Sequence, residues 1–196
     1  MEFDQVHHIQ RAYRKLIACI SKPGTINSLK DVSDTLSLPL PCNNSVVVLA
    51  LMLLDTEVSF HISGRHGSTL SKYISQLTYS RTAPVEDADY IFVMQDNEKN
   101  QLTEIIKGCK SGTLINPHVS ATLIVETREI SSEKMYVLSG PGIREEKFVG
   151  LYLNAKNWKD LRKEKNSEYP LGIDIFFFDE HHNLLALPRT TVVNDA

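Results

Sequence analysis

Apolar side chains recur every three or four positions in several segments, and this spacing predicts helices. The first helix is predicted over about residues 4–20, where one face carries Val6, Ile9, Tyr13, Leu16, Ile17 and Ile20. Pro23 and Gly24 follow it, and proline cannot continue the hydrogen-bond ladder of a helix. The same spacing predicts helices at 70–77 and 102–108, and a polar, basic helix at 157–165.

Short apolar runs predict strands at 58–62, 90–94, 122–126, 135–138, 173–178 and 184–187. The run from Ser45 to Asp55 is ambiguous. Its valines favour a buried strand, whereas its length and the polar residues Asn43, Asn44 and Ser45 favour a buried helix, which we prefer. The strands at 122–126 and 135–138 could form a hairpin with a long connection, and 184–187 is expected beside 173–178. The mixture predicts a three-layer α/β/α fold with a mixed sheet.

Composition is that of an ordinary globular protein, with 196 residues, 42% hydrophobic and 23% charged. This length favours a single domain over residues 1–196. The net charge of -3 gives no reason to expect nucleic acid as a partner. The start lacks the features of a signal peptide, and the longest apolar run, 46–54, is shorter than the roughly 20 residues that span a bilayer. We therefore expect a cytoplasmic protein without a membrane partner.

The motifs that name common enzymes are missing from the sequence. It has no GxxxxGK[ST] phosphate loop, no GxGxxG fingerprint, no HExxH and no GxSxG. The three cysteines lie far apart and are expected to be reduced and buried. Adjacent histidines, as in His7-His8 and His181-His182, point to different faces, so we expect no metal site. The second pair, with Asn183, is predicted to form a turn between two strands.

Two segments could bind an anion. In the first, Gly140-Pro141-Gly142 leaves a strand, and its amides could form an anion pocket beside Arg144; the alternative is a tight turn where side chains would clash. In the second, Arg189 and Thr190 follow the last predicted strand. Arg189 could hold a phosphate or phosphonate with two donors, or it could pair with a carboxylate such as Asp174.

Three charged residues are candidates for structural or partner contacts. Asp174 lies in an apolar strand, and a buried carboxylate needs a partner, so a buried anchor is favoured over a catalytic base. Arg11 and Arg14 are three residues apart on the first helix and share one face. They could meet an acidic partner, or they could simply be solvated.

A series of short motifs in fixed order resembles the H-subunit family of bacterial carbon–phosphorus lyase, PhnH. Each motif alone is weak evidence for the resemblance, but together the motifs extend along nearly the whole chain. They are Gln10-Arg11-Ala12-Tyr13-Arg14, Ser21-Lys22-Pro23-Gly24-Thr25-Ile26, Leu53-Leu54-Asp55, Ala88-Asp89-Tyr90-Ile91-Phe92-Val93, Gly112-Thr113, Pro117, Ser120-Ala121-Thr122, Gly140-Pro141-Gly142-Ile143, Tyr169-Pro170-Leu171-Gly172-Ile173-Asp174 and Leu187-Pro188-Arg189-Thr190-Thr191. The last two are the most specific.

The resemblance implies a function that composition could not show. Family members act with the G, I and L subunits when a phosphonate displaces adenine from ATP, which yields a ribose 1-phosphonate 5-triphosphate. A separate iron–sulfur subunit later cleaves the carbon–phosphorus bond, and this chain lacks that subunit's cysteine cluster. The family forms homodimers and joins a core complex with the G, I and J subunits. Its fold resembles pyridoxal-phosphate-dependent transferases, yet no such cofactor is implied, so no Schiff-base lysine is assigned.

The resemblance is loose in the middle of the chain. Residues 65–69 and the stretch after Gln95 match poorly, so no side-chain role is carried over there. Two hypotheses follow. The subunit could contribute groups to the reaction of ATP with a phosphonate, or it could be a non-catalytic scaffold of the complex.

Overall fold

The computed structural model describes residues 4–36, 42–96 and 100–196. Its elements, in chain order, are α1 (Gln5–Ser21), β1 (Asn27–Ser28), α2 (Lys30–Ser33), α3 (Asn44–Leu53), β2 (Ser59–Ser63), α4 (Gly67–Thr78), β3 (Arg81–Thr82), β4 (Tyr90–Val93), α5 (Gln101–Gly108), a short 3-10 helix (Pro117–Val119), β5 (Thr122–Thr127), β6 (Ile130–Ser139), β7 (Lys147–Leu151), α6 (Trp158–Lys165), β8 (Asp174–Asp179), β9 (Asn183–Leu187) and β10 (Val192–Asp195).

The main sheet has seven strands in the order β1-β9-β8-β5-β4-β2-β3. Strands β8, β5, β4, β2 and β3 run parallel, while β9 is antiparallel to β8 and β1 is antiparallel to β9. The strands at the centre of this sheet are apolar on both faces, which is typical of parallel strands that are covered on both sides. The predicted mixed sheet is therefore confirmed, and so is the pairing of 184–187 with 173–178.

Two apolar layers cover the main sheet. On one face, α1, α3 and α4 pack against strand residues that include Phe60, Phe92 and Phe178. On the other face, α5, α6 and strands β6, β7 and β10 pack against residues that include Ile91 and Phe177. The result is a mixed α/β fold in which, over the described residues, six α-helices and a second sheet surround the large one.

The ambiguous run after Asn43 is a helix, as preferred. Asn43 caps it, because its side chain accepts a hydrogen bond from the Ser45 amide at 2.9 Å. The five consecutive residues that follow Ser45 are completely buried, namely Val46, Val47, Val48, Leu49 and Ala50. A helix that is apolar all round is stable only inside a core. The other predicted helices and strands are also present, with boundaries shifted by a few residues.

The predicted hairpin of 122–126 with 135–138 is wrong. Strand β5 is paired on both sides, by β4 and by β8, so it has no free edge for a third partner. The chain leaves it through Arg128 and Glu129, and β6 pairs instead with β7 and β10 in a separate antiparallel sheet. Strands β7 and β10, which complete that sheet, were not predicted. Among the described helices, none has the length and apolar character that crossing a bilayer requires.

Candidate functional site

A crevice is expected where β2 and β4 end. The chain leaves β2 into α4, which packs on one face of the sheet, whereas it leaves β4 into α5, which packs on the other face. The two strands end in register, with Ser63 beside Val93. Connections that depart to opposite faces leave a gap between them, and open α/β sheets bind ligands in such a gap at the carboxyl ends of the parallel strands.

An open cavity of about 820 Å³ lies at this edge of the sheet. Its volume falls within the range of roughly 300–1,000 Å³ that is usual for small-molecule sites. The loops after β2 and β4, the end of β5, the β8–β9 turn and the amino ends of α3 and α4 form its walls. The lining residues are Cys42, Asn43, Asn44, His66, Gly67, Leu70, Met94, Gln95, Asp96, Glu126, Glu180 and His182.

Glu126 is the acidic side chain of this cavity that is most withdrawn from water. It lies near the end of β5, where one carboxylate oxygen, Oε2, accepts a hydrogen bond from the Gln95 amide at 3.1 Å. Burial raises the pKa of this carboxyl, and the negative charges of Asp96 and Glu180 raise it further, while the Gln95 bond opposes the change. A carboxyl whose pKa is raised inside a cavity is a recognised mark of a functional site.

The loops that follow β2 and β4 touch each other at the crevice. Asp96 Oδ1 accepts a hydrogen bond from the Arg65 amide at 3.3 Å. A Cβ atom at Gly64 would lie 2.8 Å from that same oxygen and 2.9 Å from Met94 Cβ, which is closer than real Cβ contacts come. A residue without a side chain is therefore needed at Gly64 for this approach.

His182 connects the β8–β9 turn to the start of α3. Its Nδ1 lies 2.9 Å from Ser45 Oγ, which in turn lies 3.0 Å from Ser33 Oγ. Its Nε2 is 3.8 Å from Asp34, and burial lowers the pKa of the imidazole. The set looks like a Ser–His–Asp triad, but Ser33 and Ser45 are completely buried and could not attack a substrate. We infer that it fixes the wall of the cavity.

The turn between β8 and β9 confirms the prediction for residues 181–183. Asp179 Oδ1 accepts hydrogen bonds from the His181 and Asn183 amides at 2.9 and 2.8 Å. His182 itself adopts a left-handed conformation with φ of 64°. The turn thereby places His182 and Glu180 at the cavity. Across residues 4–36, 42–96 and 100–196, no three or more His, Cys, Asp or Glu side chains are arranged to hold a metal ion.

Arg189 and Asp174, both singled out in the sequence, form an ion pair at 2.8 Å. Arg189 Nη1 donates to the Pro117 and Pro170 carbonyl oxygens at 3.2 and 3.0 Å. Its Nη2 donates to Ser120 Oγ as well as to Asp174, and its backbone amide donates to Asp174 at 2.7 Å. These contacts favour the carboxylate-pairing alternative for Arg189 and the anchor alternative for Asp174.

Although Arg189 follows the last predicted strand, it does not lie at the edge of the sheet where open α/β folds bind ligands. Ligands bind at the carboxyl ends of parallel strands, but β9 is antiparallel to β8. The end of β9 therefore lies beside the amino end of β8, at the edge of the sheet opposite the cavity. Ile175 pairs with Leu187, and Arg189 follows two residues later.

The turn Gly140-Pro141-Gly142 and residue Thr190 lie against each other, as an anion site would require. Gly140 has φ of 127°, and a Cβ there would lie 2.8 Å from the Thr190 carbonyl oxygen. Gly142 has φ of 83°, and a Cβ there would collide with the Ser21 carbonyl oxygen at the end of α1. This close backbone packing accounts for both glycines without a ligand. Anion binding by this set stays a prediction.

The three remaining arginines that were singled out in the sequence are exposed. Arg144 follows the glycine turn at the surface, and Arg14 is exposed on α1. Arg11 is half-exposed and lies 3.9 Å from Asp31, which also pairs with Lys15. An exposed contact of this length contributes little to stability. Partner contacts through Arg11 and Arg14 stay a prediction.

Sequence reasoning missed the cavity residues, although signals were present. Glu126 is a lone acid in a predicted apolar strand, and Gln95-Asp96 comes directly after another. Gly64, Arg65 and His66 likewise follow a strand. Polar residues after successive parallel strands meet at one edge of the sheet, and this rule would have brought them together.

The chain is similar to proteins of bacterial phosphonate metabolism. The family model described as "Bacterial phosphonate metabolism protein (PhnH)" matches residues 2–194. A curated protein from Stutzerimonas stutzeri, "Putative C-P lyase subunit protein HtxG", is 29% identical over 185 residues. That alignment covers 94% of this chain and 85% of the other protein.

Proposed function

Because the chain belongs to the PhnH family of bacterial phosphonate metabolism proteins, we propose that it is a subunit of a carbon–phosphorus lyase system that degrades phosphonates. The match of the family model to residues 2–194 carries this proposal. The similarity to a putative C–P lyase subunit along most of both chains supports it.

The proposed reaction is the transfer of the ribose triphosphate moiety of ATP to a phosphonate, in which this subunit works with the G, I and L subunits. A phosphonate oxygen forms a bond to the anomeric carbon, and the bond from that carbon to adenine breaks. The product is a ribose 1-phosphonate 5-triphosphate. Within this chain, the cavity at the carboxyl edge has the volume and the recessed polar groups that a small-molecule site needs.

Reconstitution tests this function. The G, I and L subunits are incubated with ATP and methylphosphonate, with and without this chain, and released adenine is measured by chromatography. We expect adenine release to fall at least tenfold when the chain is omitted. An unchanged rate without the chain would contradict the proposal. This chain incubated with ATP and methylphosphonate in the absence of the other subunits serves as the control for carried-over nuclease or nucleosidase.

A non-catalytic scaffold is the second candidate. One observation in its favour is that Arg189 and Asp174 form an ion pair with each other within the fold. Another is an exposed apolar loop, in which Leu114 is 63% and Ile115 is 89% exposed. If the subunit is a scaffold, Ile115→Asp should prevent its co-purification with the other subunits, and Asp96→Asn in the cavity should leave adenine release unchanged. Val6→Asp on α1, another exposed apolar site, is the matched control.

The proposal extends to assembly, location and cofactor. We propose that the isolated chain is a cytoplasmic homodimer that joins a core complex with the G, I and J subunits. Its fold is proposed to resemble that of pyridoxal-phosphate-dependent transferases without using the cofactor. Light scattering at micromolar concentration tests the dimer, and a monomer mass throughout would contradict it.

A further inference from the structure

The cavity at the carboxyl edge is rich in hydrogen-bond acceptors and poor in positive charge. Three of its lining residues are carboxylic acids, Asp96, Glu126 and Glu180, and none of the described lining residues is lysine or arginine. The three carboxylates repel a triphosphate or a phosphonate, and the partial positive charge at the amino ends of α3 and α4 offsets only part of that repulsion. These surroundings favour a neutral ligand that donates hydrogen bonds. Leu70 and Met94 add apolar surface against which a flat ring could pack.

Glu126 narrows the choice of ligand. Its Oε2 accepts a hydrogen bond from the Gln95 amide, and the Asn43 side chain also forms a hydrogen bond with the carboxyl group. Because burial raises the pKa of this carboxyl, it keeps its proton at higher pH than an exposed glutamate does. A protonated carboxyl presents one donor and one acceptor side by side. Its complement is a ring that carries an amino group next to an unprotonated nitrogen, as adenine does.

We propose that this cavity binds an aminopurine base, with the Glu126 carboxyl facing the edge of the base that carries the amino group. Oε1 donates to the ring nitrogen, and the free lone pair of Oε2 accepts from the amino group. The choice of adenine rests on the proposed function, since ATP supplies that base in the reaction. The cavity thus receives the base while the triphosphate stays outside the ring of carboxylates.

Several titratable groups face Glu126 from the surrounding elements. Asp96 comes from the loop after β4 and Glu180 from the β8–β9 turn. Burial raises the pKa of the Cys42 thiol, and the charge of Glu126 raises it further. His66 and His182 also line the cavity, and histidines change charge near neutral pH. A pH dependence of binding must therefore be assigned to Glu126 with variants of that residue.

Calorimetric titration of the purified chain with adenine tests the inference. We expect binding at low pH, and we expect the affinity to fall at least tenfold as the pH is raised through the raised pKa of Glu126 and the carboxyl loses its proton. N6,N6-dimethyladenine, which lacks the amino hydrogens, should bind at least tenfold more weakly than adenine at the lower pH. This second comparison needs no variant and so does not depend on folding.

Two substitutions assign the effect to Glu126. Glutamine keeps a donor and an acceptor side by side at every pH, so Glu126→Gln should bind adenine with an affinity that hardly changes with pH. Glu126→Leu should lose at least tenfold in affinity at the lower pH. Glu57→Gln, at an exposed glutamate outside the cavity, is the matched control and should behave as the unaltered chain. Melting curves verify that each variant is folded.

Three results would overturn the inference. They are no adenine binding by the unaltered chain at any pH, equal affinity for adenine and its dimethyl derivative, and a pH dependence that persists in Glu126→Gln. The last would assign the titration to another group that lines the cavity. If the isolated chain fails to bind adenine while adenine release by the reconstituted subunits still requires it, this inference fails and the proposed function stands.

Discussion

Replacing Arg189 with lysine separates a structural role from a ligand-binding one. The guanidinium of Arg189 bonds four acceptors at once: the carbonyls of Pro117 and Pro170, Ser120 Oγ, and Asp174. These acceptors belong to two loops and the first residue of β8. A lysine keeps the positive charge and could keep the ion pair. Its single ammonium cannot reach carbonyls on both loops, because it lacks the planar fork of arginine.

The size of the effect follows from the lost hydrogen bonds. Lysine is expected to lose two or more of the four, and a bond to a charged group contributes about 1.5–3 kcal/mol. The Arg189 and Asp174 side chains are 18% and 24% exposed, so water replaces part of this loss. We therefore expect Arg189→Lys to lower the free energy of unfolding by about 2 kcal/mol, which for a chain of this size lowers the melting temperature by about 4–8 °C.

Urea denaturation and thermal melting measure this change, and adenine release by the reconstituted subunits is measured on the same preparations. Arg144→Lys, at an exposed arginine, is the matched control and should change neither quantity. Activity per folded molecule should be intact in Arg189→Lys. An unchanged melting temperature together with a tenfold loss of activity would refute the structural role and favour anion binding. If both quantities are unchanged, neither role holds.

Three further predictions concern protons and the cofactor. Because the pKa of Glu126 is raised in the folded chain, the contribution of this carboxyl to the free energy of unfolding is fully present below about pH 4.5 and is lost as pH rises through the folded pKa. Glu126→Gln should therefore raise the urea midpoint more at about pH 8 than at about pH 4. The pKa of His182 is lowered, so stability should fall as pH drops below about 6.5, and His182→Gln should reduce this fall measured by urea denaturation. Purification with pyridoxal phosphate should give no internal-aldimine absorbance, because Lys107 pairs with Glu104 at 2.9 Å and Lys110 is bonded to Asp89 at 2.5 Å.

Elements with a local cause could be predicted from the sequence, whereas pairings between distant segments could not. Helix α3 could be predicted from Asn43 and the apolar run after it, because the capping residue and the buried residues are adjacent in the sequence. The two strands that pair with β5 are β4 and β8. In the sequence, β4 lies more than 25 residues before β5, and β8 lies about 50 residues after it. The residues of a strand do not by themselves determine which other strands pair with its two edges. The hairpin prediction was wrong for that reason.

The candidate site could be predicted only in part from the sequence, for a related reason. The motif at Arg189 was singled out in the sequence, but its surroundings depended on the direction of β9, which the sequence left open. An antiparallel strand moves its end to the opposite edge of the sheet. Arg189 thereby reaches Asp174 and two loops rather than the crevice. Had β9 been parallel to β8, Arg189 would have followed its carboxyl end at the ligand edge, while Asp174 would have stayed at the amino end of β8.

The motif at Arg189 and the cavity therefore occupy opposite edges of one sheet. Gly140 and Gly142 allow a turn to pack against Thr190 and the end of α1, and Arg189 ties loops to β8. These residues serve the fold itself, through close backbone packing at the glycines and a half-buried ion pair between Arg189 and Asp174. A ligand site on loops needs only that the strands hold their positions. Arg189 and the glycine turn thus make contacts within the fold, whereas the proposed ligand site lies at Glu126, a residue outside every motif of the resemblance.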